Sequence, residues 1–295
     1  MEKTQKITLL AILLFISVAC TETVNHVDID TAATPTTSTN DKLLGTPTAI
    51  EEEKEEIKTS VSNSKKYIYL TIDDAPLNGS EYIDSIIRKT QVKTNIFMVG
   101  NSIDGSHRFH RYFNQMKDNP YIAIYNHSYS HANNRYGQYY KSPENVLNDF
   151  ETNQRNFNIT NKIARLPGRN LWQIGERRKN HKQTGGTSAE LLAQHGYQIF
   201  GWDIEWHYNC KDHTPKKSIE ELVVEIEEMY NKSLEFTTNH IVLLMHDQMF
   251  AKISGHNDLE MLIGQLLKLN YTFEYLSEYP GSTHNYPPPA PSKGG

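Results

Sequence analysis

Tyr67-Ile68-Tyr69-Leu70-Thr71-Ile72-Asp73-Asp74-Ala75-Pro76 is a run of strand-forming residues, apolar almost throughout, that stops at two adjacent carboxylates, a small residue and a proline. It reads as a strand buried on both faces, as in parallel sheets. Pro76 cannot continue a ladder, so the strand ends at the acidic pair. Successive side chains at a strand end point in different directions, which leaves one carboxylate for a cation and the other for a substrate. A turn or a helix cap accounts for Asp73 and Asp74 equally well if the pair stands alone.

Outward from this stretch, strand and helix signals alternate. Strands are expected at Lys66–Ile72, Thr94–Val99, Tyr121–Tyr125, Lys162–Leu166, Tyr197–Asp203, His240–Met245 and Tyr271–Leu276. Between them lie helices opened by Ser80, by Ser142-Pro143, by a capping box at Thr187–Glu190 and by a second box at Ser218 and Glu221. Leu259, Leu262, Ile263 and Leu266 mark the last helix. Such alternation makes an α/β fold with a parallel sheet and outer helices, a closed barrel or an open doubly wound sheet.

The chain ends are different in kind. Residues 1–20 carry Lys3 and Lys6, an apolar run and a terminal Ser17-Val18-Ala19-Cys20, the layout of an export signal. This segment resembles a bacterial lipoprotein signal, which implies a lipidated Cys20 and an exported, membrane-anchored protein of the cell envelope. Lipidation of Cys20 leaves Cys210 with no intrachain partner. Residues 21–65, rich in Thr, Ser, Asn and Pro and then in Glu and Lys, read as a disordered tether, and 281–295 as a flexible tail. Residues 66–280 form the folded domain. The net charge of −5 gives no reason to expect a nucleic-acid partner.

In parallel α/β folds chemistry gathers at the C-terminal ends of the strands. Ionisable residues stand at five of these ends: Asp73-Asp74, His127 to His131, Arg165 to Arg169, Asp203 to Trp206, and His246-Asp247. A His-x-x-x-His is by itself often a solvated face. Two imidazoles placed side by side on one helical turn, with one carboxylate, make a familiar zinc set with an open coordination position.

In order, these five ends resemble the five motifs of the polysaccharide deacetylases, carbohydrate esterase family 4. Thr71-Ile72-Asp73-Asp74-Ala75 stands for the first motif and His127-Ser128-Tyr129-Ser130-His131 for the second. Arg165-Leu166-Pro167 and Leu244-Met245-His246 stand for the third and fifth. The fold expected is a distorted (β/α) barrel of about seven parallel strands with outer helices. The resemblance implies a metal, zinc or else cobalt or nickel, held by Asp74, His127 and His131. It implies Asp73 as the general base, Arg165 as its partner and His246 as the acid. Gly168 would offer an N–H to the oxyanion, and Trp206 and Leu244 would wall the acetyl pocket. Two positions depart from the pattern. Ala75 replaces a glycine, which is tolerable if its φ is negative. The fourth motif is shortened to Asp203-Ile204-Glu205-Trp206, so Asp203, or else Glu205 on the same strand face, supports His246.

The segment from Arg169 to Lys182 carries Arg169, Trp172, Arg177, Arg178, Lys179 and Lys182 against one acid, Glu176, and reads as a solvated loop or as the wall of a glycan groove. The activity expected is removal of N- or O-acetyl groups from an acetylated polysaccharide. A surface lipoprotein that binds glycan without turning it over is a second reading, and a small-molecule amidase on the same barrel a third.

Overall fold

The computed structural model describes residues 65–251 and 257–282. The export signal, Cys20 and nearly all of the tether and the tail lie outside these residues. All seven expected strands are present: β1 (Lys66–Ala75), β2 (Thr94–Met98), β3 (Ile122–Asn126), β4 (Ile163–Ala164), β7 (Gln198–Ile199), β9 (His240–His246) and β10 (Tyr271–Phe273). Three short strands add to them. β5 (Trp172–Ile174) and β6 (Arg177–Lys179) form an antiparallel hairpin, and β8 (Ile204–Glu205) pairs with β9. The described residues also form eight α-helices, α1 (Ser80–Thr90), α2 (Gly100–Asp104), α3 (His107–Lys117), α4 (Tyr136–Tyr139), α5 (Pro143–Phe157), α6 (Gly186–Gln194), α7 (Ile219–Lys232) and α8 (Asp258–Lys268), and three short 3-10 helices. None is long and apolar enough to cross a membrane.

The sheet runs β6-β5-β7-β4-β3-β2-β1-β9-β8, with β10 on the N-terminal half of β1. β7 and β8 stand far apart in that order, yet only Phe200–Asp203 separates them in sequence. Phe200 N–H donates to the Ala164 carbonyl and Asp203 N–H to that of Val242. The two pieces are thus one interrupted strand, bound to β4 on one side and to β9 on the other. This strand closes a barrel, and the antiparallel hairpin β5–β6 is an appendage to it.

Side-chain parity sorts the core into layers. Tyr69, Phe97, Tyr125, Ile163, Phe200 and Val242 pack together, an aromatic filling inside the barrel. Their chain neighbours Ile68, Leu70, Ile96, Leu243 and Met245 join Ile83, Ile87, Leu222, Ile226 and Leu262 of the helices in the outer cluster. β1 faces apolar side chains both ways, hence its continuous hydrophobicity.

Helix starts follow the sequence at two places and depart from it at two. Ser218 and Glu221 form their capping box, and Pro143 opens α5 after Ser142. Ser80 is the first residue of α1, with Gly79 at the cap, because its hydroxyl is engaged by Asp247. At α6 the cap is Gly185, with φ +101°, and the expected box at Thr187 is absent. Cys20, the other cysteine of the chain, lies outside the described residues, and the expectation about Cys210 falls there with it.

Candidate metal and active site

The acidic pair is aimed by a bulge. Between Ile72 and Ala75 the register of β1 against β2 shifts, three residues spanning two. Such an insertion re-aims one side chain. Asp74 absorbs it with φ +68°, a left-handed conformation that aspartate tolerates. Ala75 is not among the positive-φ residues, so an alanine is accommodated there. Asp73 stays in register opposite His246 of β9. Both carboxylates therefore reach the same mouth.

The second cluster follows β3. His127 and His131 are not on an α-helical turn as expected. Ser128 has φ +67°, and His131 to Asn134 all have positive φ. This tight reversal puts the two imidazole centroids 5.1 Å apart. It is held by the Ser128 hydroxyl, which accepts from His131 N–H at 3.0 Å, and by Asp149 of α5, which accepts from Ser130 N–H at 3.1 Å.

Asp74, His127 and His131 offer one ligand atom each, all within 4.8 Å of one another. Asp74 Oδ1 lies 3.0 Å from His131 Nε2 and 3.5 Å from His127 Nε2, and is a buried oxygen with no hydrogen bond of good geometry. His127 Nδ1 faces the Arg165 carbonyl at 2.9 Å. A carbonyl can only accept, so the ring proton sits on Nδ1 and the Nε2 lone pair points at the cluster. Burial pushes the Asp74 carboxyl up, but the imidazoles of His131 and His127 outweigh it and hold the group well below the usual carboxylate range. Burial likewise lowers His131, and Asp74 raises it above its ordinary value on balance. An orphaned carboxylate oxygen between two imidazole Nε2 atoms is a donor set that fits a divalent cation.

Beside it, the wholly buried Arg165 donates from Nη1 to Asp73 Oδ1 at 2.8 Å and to the Thr71 hydroxyl at 2.8 Å. Nε and Nη2 reach the carbonyls of Phe200 and Gly201 at 3.1 and 2.8 Å. Phe97 lies under the guanidinium, 4.3 Å away. Asp73 Oδ2 is 3.5 Å from His127 Nε2, so the pair leans on the metal cluster. His246 closes the ring of groups, with a buried Nδ1 that has no partner among the described residues.

The fourth motif is where the geometry corrects the sequence. Asp203 does not face His246. Its oxygens accept from Phe236 N–H at 2.7 Å and Val242 N–H at 2.9 Å, and burial pushes its carboxyl up to about 6. Glu205 is the acid in the electrostatic reach of His246 and Arg165. Burial raises its carboxyl, but His207, 3.1 Å away, together with His246 and Arg165 brings it below its ordinary value. The interruption between β7 and β8 breaks the parity that put both acids on one face.

Trp206 packs in the same cluster as Tyr208. It is buried in the outer cluster, with its indole N–H on the Lys217 carbonyl at 2.9 Å. Leu244 is buried and shares inward parity with His246 on β9. Gly168 has φ +63°, and its N–H makes no hydrogen bond among the described residues. The walls that the motifs did not reveal are tyrosines: Tyr136 stands edge-on to His131 at 5.8 Å and Tyr208 is 5.3 Å from His246. Only their place in the fold brings them here. Asp247 was legible as the neighbour of His246. Wholly buried, it binds Gly79 N–H at 2.7 Å, Leu77 N–H at 3.2 Å and the Ser80 hydroxyl, and so ties the loop after Asp74 to β9.

Residues 60–169 match the family model described as polysaccharide deacetylase, which bears out the resemblance read from the motifs. Among solved structures, the catalytic domain of a peptidoglycan N-acetylglucosamine deacetylase from Eubacterium rectale is 23% identical. It aligns over 73% of this chain and 90% of its own, with a TM-score of 0.52. A family 4 carbohydrate esterase from Streptococcus mutans is 19% identical over 74% of this chain and 89% of its own, with a TM-score of 0.53. A peptidoglycan deacetylase from Bacillus subtilis is 18% identical over 73% of this chain and 90% of its own, with a TM-score of 0.50. At such identities the likeness is one of fold. No curated protein matches the chain.

Proposed function

We propose that this protein is a metal-dependent hydrolase that removes acetyl groups, N-linked before O-linked, from a polysaccharide of the cell envelope. The observation that carries this reading is the orphaned Asp74 oxygen between two imidazole Nε2 atoms, set beside the Asp73–Arg165 pair. Asp74, His127 and His131 would hold the ion, zinc before cobalt or nickel, which supplies a Lewis acid for the acetyl carbonyl and the attacking water. Asp73, held by Arg165, accepts the proton of that water. His246 gives a proton to the departing nitrogen or oxygen, and Glu205 supports it there. The Gly168 N–H is a donor for the oxyanion, worth roughly 3 kcal/mol if well placed. Water is consumed, and acetate and the free amine or hydroxyl leave. Leu244 and the Tyr136 and Tyr208 rings bound the acetyl pocket.

Export through the N-terminal segment is the setting that matches such a substrate, with lipidation of Cys20 as the anchor. Lipidation consumes the Cys20 thiol, so a lipidated chain cannot also pair Cys20 with Cys210. Mass spectrometry of the mature protein decides between the two. The activity is tested by acetate release from acetylated chitin oligomers, peptidoglycan and acetylated xylan, with and without chelator. Chelator-sensitive release on one of them supports the reading; a zinc-loaded protein inert on all three refutes it.

A further inference from the structure

The hairpin β5–β6, which stands outside the barrel, builds a groove of about 710 Å³ next to the site. Its wall includes Gly168, Trp202, His207, Lys179, Lys182 and Asn180. Three of these join it to the chemistry. Gly168 follows the Arg165 motif, the Trp202 ring lies 5.7 Å from the Arg165 guanidinium, and His207 is paired with Glu205. Amides fix the floor. Asn170 binds both the N–H and the carbonyl of Trp202, at 3.0 and 2.9 Å, while Asn180 and Gln183 hold the Asn170 carbonyl at 2.8 and 3.0 Å.

The basic residues of this segment divide sharply. Arg169 is spent on Thr184 and the Gly168 carbonyl, Arg177 on Thr237 and the Pro280 carbonyl, and Arg178 on Glu190 at 3.1 Å. Lys179 and Lys182 have no carboxylate within ion-pair distance among the described residues. Asp203 is in the electrostatic reach of Lys179, but both its oxygens are occupied by backbone N–H groups. Two lysines without a partner acid, in a groove floored by amides and edged by a tryptophan ring, form a site for a sugar bearing negative charge.

We infer that this groove holds an anionic substituent, a carboxylate or a phosphate, on a sugar unit near the one that loses its acetyl group. The substrate is then a charged polymer and not a neutral one. This rests on the deacetylase reading for turnover, though binding can be measured without it.

The test compares a neutral acetylated chitin oligomer with the same oligomer carboxylated or phosphorylated at C6. Trp202 is the one tryptophan not wholly buried, so its fluorescence reports occupancy. The wild-type protein is expected to bind a charged oligomer roughly three- to tenfold more tightly than the neutral one, with the preference falling as salt rises. The double variant Lys179→Gln/Lys182→Gln is expected to lose that preference in binding and, where turnover occurs, in KM. The carboxylated and phosphorylated arms identify which anion is held. Equal binding of neutral and charged oligomers by the wild type, or a preference that survives in the double variant, overturns the inference. Preferential binding without acetate release sustains the groove and sinks the deacetylase reading.

Discussion

Replacing Arg165 by Met asks how much of the site is held by a single buried ion pair. Arg165 is wholly buried and makes four hydrogen bonds, to Asp73, Thr71 and the carbonyls of Phe200 and Gly201. Methionine fills part of the volume and satisfies none of them. The Asp73 carboxylate is left buried without its cation, which costs about 3–5 kcal/mol when one partner of a buried pair is removed. At about 2–4 °C per kcal/mol for a domain of this size, the melting temperature should fall by about 6–20 °C. The decisive assay is a double-mutant cycle by chemical denaturation with Asp73→Asn. The amide no longer needs a cation, so the double variant should be more stable than the sum of the single losses by about 2 kcal/mol. It will still fall short of the wild type, because the Phe200 and Gly201 carbonyls stay orphaned. Strict additivity, or a loss below about 1 kcal/mol for Arg165→Met, would refute the view that Arg165 and Asp73 act as one unit.

Three further outcomes follow from the same geometry. Asp73→Asn should abolish turnover while metal content, read by elemental analysis, stays at the wild-type level, whereas His127→Ala should lose the metal. Glu205→Gln should lower kcat/KM by roughly 5- to 30-fold, the equivalent of about 1–2 kcal/mol, and Asp203→Asn by much less; the reverse order would restore Asp203 as the support of His246. Burial raises the folded Asp203 carboxyl from its ordinary 3.8 to about 6, so the fold favours the neutral acid. That contribution is full below pH 4 and is lost as pH rises through 6, about 3 kcal/mol in all. The stability of Asp203→Asn should therefore gain on the wild type between pH 4 and pH 7, and parallel curves would show that Asp203 does not titrate in this window.

Strand alternation, the five ionisable strand ends and the composition of the chain ends were legible from residues alone, because apolar periodicity and turn chemistry are local properties. The pairing of Arg165 with Asp73 and the grouping of Asp74 with His127 and His131 were legible through motif order. The choice between Asp203 and Glu205 was not. It turned on a four-residue interruption between β7 and β8, and a break in a strand resets which side chains share a face. Trp202, which no motif singled out, edges the groove. What only the tertiary structure decided were the devices that make strand ends converge, namely the bulge at Asp74, the left-handed run from His131 to Asn134 and the clamp of Asp247 on the loop after Pro76. Each joins residues far apart in sequence, and its geometry depends on the packing of neighbouring strands and not on the preferences of its own residues.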